Sequence, residues 1–75
     1  MKKLSYTVIY EADPEGGFVA SVPALPGCYS QGDSLKDAKK NITEAIGLYL
    51  ETLQNDNEAL PVEHNISQGR VEVAV

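Results

Sequence analysis

Cys28, His64 and the carboxylates Glu11, Asp13, Asp33, Asp37 and Glu44 are the side chains through which this sequence could do chemistry. A cysteine becomes a nucleophile when a helix N-terminus or a cationic neighbour stabilises its thiolate. Cys28 stands between Gly27 and Tyr29 instead, and reads as a half-buried packing residue. His64 is the only histidine, and its neighbours Glu63 and Asn65 supply no second member for acid–base work. It reads as a solvent-exposed loop residue. The carboxylates could be imagined as a metal-dependent nuclease cluster, but turn positions and the outer side of a helix suit capping and solubility better. No CxxC or HExxH spacing supports zinc, and Gly16-Gly17 is turn chemistry, since no GxxxxGK follows a strand. The expectation is therefore no catalytic residue, no metal and no cofactor.

Charge and size narrow the field further. Asp and Glu number 11 against 6 Lys and Arg, a net charge of −5. Direct binding to a phosphate backbone relies on clustered Lys and Arg, so no direct nucleic-acid contact is expected. The same charge is compatible with docking on a basic protein, or simply with keeping a small protein soluble. One cysteine excludes an intrachain disulfide and fits a reducing compartment. No apolar run approaches the roughly 20 residues that span a bilayer. Met1-Lys2-Lys3 resembles the basic start of a signal peptide, but Ser5, Thr7, Tyr10 and Glu11 interrupt the apolar stretch behind it. A cytoplasmic protein without membrane contact is expected. Its 75 residues make one domain, 1–75. A chain this short buries only about 60% of the surface its unfolded form exposes, so it gains from self-association as a dimer or tetramer.

The elements that would position these groups are legible from periodicity. Leu4 to Ala12 alternates as a strand, with Leu4, Tyr6, Val8 and Tyr10 on one face and Ser5, Thr7, Ile9 and Glu11 on the other. Asp13-Pro14-Glu15-Gly16-Gly17 is a turn, and Phe18 to Val22 returns as a second strand. Pro23 to Pro26 reads as a stiff, extended loop, followed by a short third strand from Cys28 to Ser30 or Gln31. Leu35, Ala38, Ile42, Ala45, Ile46, Tyr49, Leu50 and Leu53 then recur at helical spacing, predicting a helix from Leu35 to Leu53 or Gln54. Gly47 inside it marks either a close approach to the sheet or a tolerated surface glycine. Arg70 to Val75 alternates again as a closing strand. A right-handed crossover would place that strand beside the first, in a β-β-β-α-β fold of class α+β with sheet order 3-2-1-4. One face of such a sheet carries the helix; the other, with Ile9 and Val19, stays open to solvent or to another subunit.

The joint between sheet and helix is the most specific part of the sequence. Pro23, Pro26, Gly27, Cys28, Gly32, Asp33 and Ser34 write a strand–loop–strand–helix connection, with glycines freeing the backbone on either side of Cys28-Tyr29-Ser30. Ser34 is placed to cap the helix, with Asp37 in its first turn. Leu25, Pro26 and Tyr29 sit together beside an exposed strand edge. They are candidate partner contacts, with local core packing as the plainer reading.

Asp-Pro-Glu-Gly-Gly-Phe-Val-Ala, then Val-Pro-Ala-Leu-Pro-Gly-Cys, then Gly-Asp-Ser-Leu-Lys-Asp-Ala, then a helix with Asn41, Ala45 and Tyr49-Leu50, resembles the HicB family of antitoxins and its short single-domain members. The resemblance covers roughly Tyr6 to Leu53, and again Leu60-Pro61. It implies a β-β-β-α-β domain of partial ribonuclease-H-like topology within a type II toxin–antitoxin pair. It also implies a function, binding and masking a small basic HicA-type toxin that cleaves messenger RNA. Many relatives continue into a C-terminal operator-binding segment; none follows Val75 here, so no C-terminal DNA-binding domain is expected. Ribonuclease-H-like catalytic carboxylates do not map onto an active set, and fold kinship does not imply activity. The competing reading is a stand-alone oligomeric domain of this fold with a small-molecule, metal or nuclease role.

Overall fold

Side-chain alternation and hairpin chemistry build the first half of the computed structural model, which describes residues 3–75. Met1 and Lys2, part of the basic start, lie outside it. Strand β1 (Ile9–Ala12) pairs antiparallel with β2 (Phe18–Ser21), and β2 pairs antiparallel with β3 (Tyr29–Gly32). The β1–β2 turn is closed by Asp13 N–H donating to the Gly17 carbonyl and Gly16 N–H to the Asp13 carbonyl, both 2.9 Å. The Asp13 carboxylate accepts from Glu15 N–H at 2.9 Å, the local bond that makes aspartate a turn residue.

Helix α1 (Leu35–Asn55) follows β3 almost at once. Ser34 is its N-cap: extended at φ −137° and ψ 167°, its side chain accepts from Asp37 N–H at 3.1 Å. At the other end Asn57 adopts φ 58°, its N–H donates to Gln54, and Glu58 N–H donates to Leu53 at 2.8 Å. This is a Schellman closure with asparagine in the left-handed position that glycine more often takes. Helix α1 lies across β3 and β2. Its Ala38 and Ile42 join Ala20, Val22, Leu25 and Cys28 in the buried core, with Tyr6, Val8, Phe18, Ala45, Ile46, Tyr49 and Leu50 packed around them. Leu35, at the start of the helical stripe, is 53% exposed, and Tyr10 is also exposed, because α1 covers the β3 side of the sheet more than β1.

The expected four-stranded sheet is not formed. The order is β-β-β-α with a three-stranded sheet β1-β2-β3, and no C-terminal strand exists among the described residues. The 3-2-1-4 order, and with it the complete β-β-β-α-β topology of partial ribonuclease-H type, is thereby corrected. The cause lies where the chain returns to the sheet. The Tyr6 hydroxyl donates to the Pro61 carbonyl. The Glu63 carboxylate accepts from Thr7 N–H at 2.5 Å and from the Thr7 hydroxyl at 2.7 Å. The Glu63 carboxylate takes up the Thr7 donor that a ladder would use, so the contact is made by a side chain and not by backbone pairing. Side chains thus take the place of strand pairing, and residues 64–75 continue exposed. The first strand is also shorter than its alternating pattern, since Thr7 N–H bonds to Glu63 rather than to a neighbouring strand.

The approach of α1 to the sheet is set by Gly32. A Cβ built there would stand 2.4 Å from Ala38 N and 2.7 Å from the Asp37 carbonyl carbon, both backbone atoms that cannot swing aside. Gly47 faces open space instead, and is the tolerated surface glycine of the two readings. Opposite stability effects follow. Gly47→Ala should stabilise by up to about 1 kcal/mol through helix propensity, while Ser34→Ala should cost about 0.5–2 kcal/mol through the lost cap. Gly32→Val should lower the thermal midpoint most, or prevent folding. Thermal melts of the three variants check the order, and a Gly32→Val protein as stable as wild type would contradict the packing.

Candidate partner-binding site

Two successive turns build the loop between β2 and β3. Leu25 N–H donates to the Val22 carbonyl and Cys28 N–H to the Leu25 carbonyl, both 3.0 Å, and Val22 N–H to the Cys28 carbonyl at 3.1 Å closes the loop at its base. In the second turn Pro26 occupies the first corner and Gly27 the second, with φ 81°. That pairing defines a type II turn, in which proline pre-sets one corner and only a residue tolerant of positive φ fits the other. The loop is folded back on itself rather than extended, because every turn donor finds a carbonyl three residues back.

This folding sorts the loop side chains into two sets. Leu25 is fully buried and Cys28 nearly so, forming the plug beneath the loop. Pro23, Pro26 and Gly27 lie on the surface, and Tyr29 is 69% exposed. Gly32 is half-buried under α1, while Asp33 and the capping Ser34 are exposed. Of the candidate contacts, then, Pro26 and Tyr29 reach solvent and Leu25 supports them from below.

Beside this loop runs a groove of about 270 Å³, lined by Gly27, Cys28, Tyr29, Ala45, Leu48, Tyr49 and Thr52. Leu48 is 65% exposed. It was not among the sequence candidates, although one signal was available: it is an apolar helical residue out of phase with the stripe that faces the core. Tyr49 belongs to that stripe, yet its half-buried ring also reaches the groove wall. Two tyrosines and a leucine around a shallow hollow offer the aromatic and aliphatic area that protein partners bury most effectively.

The residues first considered for chemistry are dispersed. Asp13 and Asp33 line a hollow of about 250 Å³ at the hairpin tip together with Glu15 and Phe18. Asp33 and Asp37 meet Lys40 and Asn41 in another. Among the described residues no group of three or more His, Cys, Asp or Glu is placed to hold a metal ion. His64 is exposed in the C-terminal segment. No helix among the described residues is long and apolar enough to cross a membrane. Burial pushes the Cys28 thiol above its ordinary range, disfavouring the thiolate. A thiol reagent at neutral pH should accordingly modify the folded protein far more slowly than the protein in denaturant; equal rates would show Cys28 to be accessible.

Comparison with known proteins agrees with this architecture of turn, loop and capped helix. The model of a family described as HicB-like antitoxin of bacterial toxin–antitoxin systems matches residues 6–73. A UPF0150 protein of Thermoplasma acidophilum is 50% identical over 58 residues, 77% of this chain and 84% of that one. A UPF0150 protein of Synechocystis is 48% identical over 59 residues, 79% of this chain and 75% of that one. A third, from Archaeoglobus fulgidus, is 39% identical over 62 residues and 90% of its length is covered. With the match running through the hairpin, the double turn, α1 and most of the C-terminal segment, the chain belongs to the HicB-like antitoxin family.

Proposed function

We propose that this protein is a non-enzymatic antitoxin module that binds and neutralises a small basic HicA-type toxin, an mRNA-cleaving ribonuclease, in the cytoplasm. Membership of the antitoxin family carries the reading, since it calls for a toxin partner in general. A feature of the surface supports the reading. Tyr29 and Leu48 are exposed apolar groups that line one groove together with Gly27, and Pro26 is exposed next to Gly27 on the same turn. A net charge of −5 favours encounter with a basic protein, while specific affinity rests on the few desolvated contacts at the centre of the patch. Nucleic acid is not contacted directly in this reading; the antitoxin acts by covering the toxin's RNA-binding surface. The module works as a dimer or a dimer of dimers, as suits a domain whose core is this small.

The test is titration of the purified chain against the product of a neighbouring reading frame encoding a small basic protein, together with rescue of growth on co-expression. Tight binding and rescue are expected. Tyr29→Ala and Leu48→Glu should each weaken binding at least about tenfold, the range of a central contact worth about 1.4 kcal/mol or more. Lys39→Ala, about two and a half turns before Leu48 and so on the opposite face of the helix, should leave it unchanged. Added salt should slow association more than it speeds dissociation. Absence of binding at micromolar concentration with no rescue would reject the assignment, as would metal-dependent RNA cleavage by the chain alone.

A further inference from the structure

We propose that residues 70–75 pair as a strand with the outer edge of β1 in a second copy of the chain, so that two copies close by exchanging these segments. Three features of the chain carry this. The first is the segment itself. Arg70-Val71-Glu72-Val73-Ala74-Val75 alternates as a strand, yet Val71 and Val73 are 88% and 76% exposed and Val75 is fully so. Strand-forming valines left in water, with no backbone hydrogen bond to another described residue, are a donor without an acceptor.

The second feature is an acceptor edge. Asp13 N–H points to β2, where it bonds to the Gly17 carbonyl. Backbone groups alternate in direction along a strand, so those of Tyr10 and Ala12 point to the outer side of β1. Among the described residues no strand pairs with that side. The opposite edge of the sheet is blunted, because the Asn41 side chain on α1 donates to the Gln31 carbonyl of β3 at 2.8 Å. One edge is therefore open and the other partly occupied.

The third feature is reach. Tyr6 and Thr7 anchor the base of the segment at Pro61 and Glu63. Beyond that anchor the chain can extend by about 40 Å, at roughly 3.3–3.6 Å per residue. The molecule measures 47 × 28 × 19 Å, and its radius of gyration is 14.5 Å, against about 11 Å for a compact chain of this length. The segment thus projects from the body. A second copy is the occupant that answers both needs at once, because each chain offers one donor strand and one acceptor edge. A two-fold pair uses both donor segments and both β1 edges, so the exchange closes at two copies. Local charge is modest: Arg70 and Glu72 cancel within the donor, and Glu11 is the one charged residue of β1.

The inference rests on the self-association put forward above and names the segment responsible for it. Sedimentation of the full chain without toxin tests both, and the two can fail separately. Adjacent N–H groups point to opposite sides of a strand, so of Glu72→Pro and Val73→Pro one must remove a ladder bond. The wild-type chain should sediment as a dimer or larger. At least one of the two proline variants should raise the dissociation constant tenfold or more, with helical circular dichroism intact, and Val73→Thr should not. Hydrogen exchange at Tyr10 and Ala12 should be protected in the dimer and released in the sensitive variant. A monomeric wild type at high micromolar concentration overturns both the exchange and the self-association. A dimer indifferent to both prolines leaves self-association standing and overturns the exchange. Protected Tyr10 and Ala12 amides in a monomer would show the segment pairing with its own β1, and overturn it too.

Discussion

The backbone of α1 rests directly on the backbone of β3, with Gly32 beneath Asp37 and Ala38, and the rest of the molecule is arranged around that contact. A core that includes two fully buried alanines can exclude water only if its layers come close together there. Ala20 and Ala38 have little side chain to fill a gap, and each extra methylene of separation would open a void. Gly32 removes the one Cβ that would hold the layers apart. Ser34, two residues on, starts the helix before the chain can drift from the sheet. The same closeness explains why Asn41 reaches the Gln31 carbonyl and so ties the helix to the strand edge.

That contact also places the candidate binding groove. With α1 set against β3, its outward flank at Leu48 and Thr52 lines one groove with Tyr29, and Gly27 of the type II turn lines it too. The loop contributes rigidity more than area, because its turn donors are satisfied internally and Leu25 is locked into the core. A surface presented on such a support loses little conformational entropy when a protein partner docks on it.

The C-terminal segment shows a different physics. Its alternation of valines with polar residues is a genuine strand signal, but alternation specifies a pleated, half-buried environment and not the strand that provides it. Within one chain the return path brings Pro61 and Glu63 to Tyr6 and Thr7 through side-chain bonds and not through a backbone ladder. The strand propensity is left unspent beside an open edge.

Much of this protein was decided by local chemistry and could be read in the residues. The Asp13–Gly17 turn, the serine cap, the length of α1 and the stripe that buries Ala38 and Ile42 depend on interactions within a few positions, so sequence order is spatial order there. The motif that carries the family resemblance is of the same local kind, and for that reason it was visible without a fold. Tertiary structure decided the rest. Tyr29 and Leu48 lie far apart in sequence and on different elements, and only the packing of α1 on β3 makes them one surface. Leu25 and Pro26 are neighbours in sequence, yet the turn sends one into the core and the other to solvent. The fate of the final strand was likewise beyond periodicity, because pairing is a property of two edges and their separation, and the sequence of one strand describes only its own half.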